Sequence, residues 1–124
     1  MRWLNSREAL AMHARQIAEH GGADGVRDLG LLESALARPQ NLHAYEPDAD
    51  LASLAAAYAF GIAKNHPFVD GNKRTAYVAM ETFLVLNDVT LTATPEDKYP
   101  TIMALAAGDL TEDALAAWIR QHIS

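Results

Sequence analysis

Residues 50–86 read DLASLAAAYAFGIAKNHPFVDGNKRTAYVAMETFLVL, two helical patterns separated by a proline. In the first, Leu51, Leu54, Ala55, Tyr58, Ala59 and Ile62 recur at i, i+3, i+4, i+7, i+8 and i+11, one face of a helix that Asp50 is placed to cap. Pro67 forces its end. Because a proline disfavours the α conformation in the residue before it, His66 is expected to be extended. Phe68-Val69-Asp70-Gly71 is too short for an element. Asn72 to Leu86 follows with Ala76, Tyr77, Val78, Ala79, Met80, Phe83, Leu84 and Val85 apolar nearly all round, the pattern of a central, buried helix.

Upstream, Asn5 with Glu8 three residues on predicts a helix start, and Leu10, Ala14 and Ile17 keep helical spacing until Gly21-Gly22 stops it. Gly21 to Arg27 reads as a loop. Asp28 then caps a short helix carrying Leu31, Leu32, Ala35 and Leu36, which Arg38-Pro39 should end. Residues 39–50 show no period and are expected to form an irregular, flap-like connection with one short extended piece. Within it, residues 41–46 could pair with a target segment as an added strand. Downstream, Asn87-Asp88 turns the chain, Val89 to Thr92 suggests a short strand, and Thr94-Pro95 opens a helix that Gly108-Asp109 closes. Thr111 opens the last helix, with Glu112 and Asp113 in its first turn and Arg120 and His122 in its last, as the helix dipole prefers. The expectation is all-α: a compact single-domain bundle of about six helices over residues 1–124, with a short irregular flap and no internal repeat.

Composition narrows the function. At 124 residues, half of them apolar, the chain can bury a core without disulfides, and it has no cysteine. No window reaches the roughly 18 unbroken apolar residues of a membrane span, Lys64, Lys73, Glu81 and Asp88 interrupting the best candidates, and the first residues carry no long apolar leader, so cytoplasmic residence is the default expectation. A net charge of −6 argues against a general nucleic-acid surface. Yet Lys64, Lys73 and Arg74 against Asp70 leave a local +2, which suits one compact anionic ligand.

If a helix begins near Asn72, its free N–H groups form an anion site, and Gly71 lets a phosphate approach the backbone. Lys73 and Arg74 sit in a first turn, where the dipole disfavours cations, so a bound anion accounts for them. Phe68 would anchor the loop from below. Asp70 is placed for Mg²⁺, which uses one or two carboxylates plus phosphate oxygens, and His66 has the pKa range of a proton acceptor. Taken singly, each has a plainer explanation: a surface histidine, an Asp-Gly-Asn turn, a solvated Lys-Arg face. Their joint occurrence shifts the balance. A P-loop is rejected, because the G-x-x-x-x-G-K-(S/T) spacing is absent and no strand precedes the segment. His13 is expected to pack or face solvent within the first helix, and His20 and His122 to sit at helix ends.

His66 to Arg74 resembles the signature of Fic-domain proteins, H-P-F-x-(D/E)-G-N-G-R, and more closely the death-on-curing (Doc) toxin variant, H-x-F-x-(D/N)-(A/G)-N-K-R. The Gly21-Gly22 loop, the stretch DLGLLESALARPQ from Asp28 to Gln40 and the Ala44 to Glu46 spacing to His66 are similar to that branch. The resemblance implies a compact helical fold and transfer of part of a nucleoside triphosphate to a protein hydroxyl. It assigns His66 as base, Asp70 as Mg²⁺ ligand and Arg74 as a phosphate contact. Phe68, Gly71, Asn72, Lys73 and Arg74 form the ATP-binding set, with Lys64 as a further candidate. Lys73 stands where AMP-transferring members have glycine and is expected to fill a phosphate subsite, so transfer of the ATP γ-phosphate is the leading expectation. Such a toxin would modify a threonine of elongation factor Tu and halt translation, with a separate antitoxin, folding on a groove of the helical body, as regulator. No self-inhibitory (S/T)-x-x-x-E-(G/N) motif is present. AMP transfer and a non-catalytic binding domain are the alternatives.

Overall fold

A computed structural model describes residues 1–124 as six helices: α1 (Ser6–His20), α2 (Leu29–Tyr45), α3 (Leu51–Asn65), α4 (Asn72–Leu86), α5 (Pro95–Ala107) and α6 (Glu112–Gln121). Five of them begin at a side chain that accepts a first-turn N–H, namely Asn5, Asp28, Asp50, Thr94 and Thr111. At Asn5 the Glu8 side chain returns the bond, completing a capping box. The exception is α4, which starts from Gly71 in a left-handed conformation with no side-chain cap.

The core is built around α3, which packs against α2, α4, α5 and α6. Ala52, Leu54 to Ala59, Gly61 and Ile62 are all buried, so this helix is enclosed on nearly every side. Its run of alanines permits that, since small side chains let neighbouring helices approach closely. At Gly61 an added Cβ would lie 3.3 Å from the Ala35 Cα of α2. The expectation that the Asn72 to Leu86 helix is the central one is therefore corrected: α4 buries Thr75, Ala76, Tyr77, Ala79, Met80, Phe83 and Leu84 but exposes Val85. Residue size misled the reading, because burial on all sides selects small residues as readily as large ones. The segment before α1 closes the far end, with the Leu4 N–H donating to the Tyr58 hydroxyl at 2.9 Å; burial pushes that phenol up to about 12.

Two further expectations are corrected. Pro39 does not end α2, which runs on to Tyr45, so only Glu46 to Asp50 are irregular and no flap spans 39–50. A mid-helix proline forfeits one ladder hydrogen bond. Offsetting this, Pro39 is itself buried, Leu42 packs on the core, and the His43 ring lies 5.7 Å from that of Trp3. Residues 41–45 are thus helical, and strand addition there is ruled out. Val89 to Thr92 forms no strand beyond a single bridge between Leu91 and Ile123, flanked by reciprocal bonds between Thr90 and Ser124.

Candidate active site

Pro67 ends α3 as the sequence predicts, but His66 is left-handed (φ 54°, ψ 53°) rather than extended, closing the helix with its N–H on the Ile62 carbonyl. For a residue with a Cβ this conformation costs on the order of 1 kcal/mol, so something must hold it. Arg27 does so: its guanidinium donates to the His66 carbonyl at 2.8 Å and the Asn65 carbonyl at 2.9 Å, a cation on the negative end of α3. The surrounding loop adds backbone bonds, with Arg27 N–H on the Pro67 carbonyl (2.7 Å) and Val69 N–H on that of Gly25 (3.0 Å).

Phe68 is fully buried below the loop, its ring stacked on His13 at 3.8 Å. It anchors the loop and does not line the cavity above, a correction to its place among ligand-contacting residues. Asn72 is buried and locks the turn from within. Its Oδ1 accepts from Phe68 N–H (3.0 Å), while Nδ2 faces both the Phe68 carbonyl (2.9 Å) and His66 Nδ1 (3.0 Å). The two Phe68 bonds fix which way the amide points. An amide nitrogen only donates, so Nδ1 of His66 accepts, and the neutral imidazole carries its proton on Nε2.

Asp70 is exposed at the cavity rim, yet held. Its carboxylate accepts from Gly71 N–H (2.8 Å) and Ala23 N–H (3.2 Å), and those two bonds lower its pKa below the ordinary aspartate value. The turn after α1 fits closely against it: a Cβ at Gly22 would stand 2.6 Å from Asp70 Oδ2. One ionised, backbone-held carboxylate at the cavity rim is a donor of the kind Mg²⁺ takes, since that ion uses one or two carboxylates and draws the rest of its shell from other oxygens. No group of three or more histidines and carboxylates offers an all-protein cage.

Above the loop lies a cavity of about 480 Å³, bounded by the end of α1 with Gly21-Gly22, by Ala63 and His66, by Asp70 to Arg74, and by Ala106. Of the expected site residues it gathers His66, Asp70, Gly71, Asn72, Lys73 and Arg74. Lys73 and Arg74 are exposed and neither has a carboxylate within ion-pairing distance, whereas Arg15, Arg38, Lys98 and Arg120 are all paired. Lys64 falls outside the cavity; it lies 5.8 Å from the centre of the Phe60 ring in a neighbouring apolar groove. Sequence reasoning missed the α1 side of the site: Gln16, Ile17, His20 and Gly22 line it, and His13 supports it. Gly21-Gly22 was the one available signal, since a glycine past a helix stop can mark close approach as well as a turn.

The Fic/DOC family model matches residues 3–84. A protein of Escherichia phage P1 named protein kinase Doc is 35% identical over 121 residues, covering 98% of this chain and 95% of its own. A protein of Mycolicibacterium smegmatis named toxin Doc is 43% identical over 100 residues, 78% of this chain and 77% of that one.

Proposed function

The chain belongs to the Fic/DOC family, and from that premise we propose that it is the toxin of a toxin–antitoxin pair, transferring the γ-phosphate of ATP to a protein hydroxyl. The observation that carries the reading is the start of α4: a helix with no side-chain cap, flanked by two unpaired cations and a held carboxylate, at the floor of a cavity. An uncapped helix start leaves its N–H groups for a ligand, and phosphate oxygens are the acceptors that also satisfy Lys73 and Arg74.

In the proposed step the target hydroxyl oxygen bonds to the γ-phosphorus, the bond to the β-bridging oxygen breaks, and ADP leaves. Lys73 and Arg74 bind the phosphates and Gly71 gives them close access to the backbone. Asp70 would hold Mg²⁺, which neutralises phosphate charge when bound. His66 takes the hydroxyl proton. That role asks for a free Nε2, so the contact from Asn72 to Nδ1 must open and the ring proton must move there first. A loose phosphoryl transition state depends more on positioning and charge than on a base, which keeps this requirement modest. The threonine of elongation factor Tu as target, and cytoplasmic action on translation, rest on family resemblance. A separate antitoxin is the proposed regulator. The groove lined by Phe60, Leu105 and Leu110 shares Ala63 and Ala106 with the cavity, so a tail folding there would reach the phosphate site.

The test incubates the protein, and a His66→Ala variant, with bacterial lysate, Mg²⁺ and ATP labelled at either the α- or the γ-phosphate. Label reaching a discrete protein from γ alone, and only with His66 present, is the expected outcome. Label from α converts the reading to AMP transfer. No His66-dependent label leaves a binding domain.

A further inference from the structure

We propose that His13, in the middle of α1, is a positioning residue for the phosphate loop: its imidazole N–H clamps the peptide between Asp70 and Gly71 and so fixes where the Asp70 carboxylate points. His13 is only 2% exposed, on the face of α1 that packs inward. A leucine would fill such a place without the cost of burying a polar ring, so the histidine calls for a polar explanation. Its Nε2 lies 2.8 Å from the Asp70 carbonyl, and a carbonyl only accepts, so Nε2 carries the hydrogen. No other side chain of α1 bonds to the loop. The ring is held in plane by Phe68, at an interplanar angle of 3°.

The clamp matters because Gly71 follows. Glycine moves between positive and negative φ at little cost, so the Asp70–Gly71 peptide could turn over unless its ends are held. Its carbonyl is held by His13 and its N–H by Asp70 Oδ1, the strongest influence on that carboxylate. Release of the carbonyl frees the peptide, and the carboxylate then loses one of its two backbone donors.

The proposal rests on the reading of Asp70 as the Mg²⁺-facing group, and the test separates the two. His13→Phe keeps a flat ring on Phe68 without a donor; His13→Gln restores an N–H at similar reach. Calorimetric binding of a non-hydrolysable ATP analogue is measured with and without Mg²⁺, together with the Gly71 amide resonance in labelled protein without ligand. Expected for His13→Phe is a shifted Gly71 resonance and Mg²⁺-dependent affinity weakened about tenfold, the worth of one hydrogen bond at a charged site, with Mg²⁺-free binding unchanged. His13→Gln returns both toward wild type. An unmoved Gly71 resonance in His13→Phe, equal losses with and without Mg²⁺, or a folded His13→Gln protein that rescues neither signal overturns the proposal. Should His13→Phe not fold, His13→Gln decides alone, by keeping or losing both wild-type signals. Wild-type protein that binds no analogue sinks the phosphate reading instead, while the Gly71 resonance still decides the clamp.

Discussion

At the scale of single residues, the Asn72 amide carries more than the cradle role the motif suggested. Its two bonds to Phe68 fix its orientation and, through the contact of Nδ2 with Nδ1, the resting tautomer of His66. Presence of a histidine and an asparagine six positions apart was visible in the sequence; which ring nitrogen faces which amide atom was not, because that depends on the left-handed turn at His66. The consequence is measurable. In wild-type protein, ¹⁵N shifts of neutral His66 should show the proton on Nε2. Asn72→Asp places a carboxylate oxygen against Nδ1 and should move the proton there, at the expense of the bond to the Phe68 carbonyl. A proton already on Nδ1 in the wild type would remove the need for any opening of the Asn72 contact.

Among the elements, helix ends were the most legible feature, since Asn5, Asp28, Asp50, Thr94 and Thr111 are polar caps followed by periodic residues, and each caps as expected. What misled was proline inside α2, where propensity argued for a stop and burial of Pro39 and Leu42 argued for continuation. Local rules describe the isolated segment, and tertiary packing overrode them. The α2–α3 crossing gives a sharper test of packing. Gly61 sits where a Cβ would come within 3.3 Å of both the Ala35 Cα and the Arg38 Cδ. Gly61→Ala should be close to neutral, because about 1 kcal/mol of helix propensity offsets the squeeze. Gly61→Leu has no such margin and should lower unfolding free energy by about 1–3 kcal/mol, the range for overpacking. Chemical denaturation of the pair checks this; a Gly61→Leu protein as stable as Gly61→Ala would mean that the two helices part easily.

For the whole molecule, α6, which with α5 lies beyond the family match, must be seated against the rest. Leu115 and Ile119 are fully buried and supply the main attraction. Two ion pairs border the contact, Arg38 to Glu112 and Arg120 to Asp50, the latter with Nε to Oδ2 at 2.6 Å. Asp50 serves twice, as cap of α3 through Ser53 N–H and as partner of Arg120. The Arg120 guanidinium, with the Ser53 N–H after it, holds the carboxyl well below the usual aspartate range. Both side chains are nearly half exposed, so solvent screening limits the pair to under about 1 kcal/mol despite that large shift. A depressed carboxyl pKa contributes its stability above the unfolded value of about 3.9 and loses it as pH falls toward the folded value. Arg120→Met should therefore be less stable than wild type by a constant, small margin at neutral pH, and the two denaturation curves should converge toward pH 2. Asp50→Asn, which keeps a cap acceptor and drops the charge, should match Arg120→Met at pH 7; Asp50→Ala should lose about 1 kcal/mol more with the cap. If the Arg120→Met deficit instead persists undiminished at pH 2, the guanidinium stem rather than its charge is what holds α6 in place.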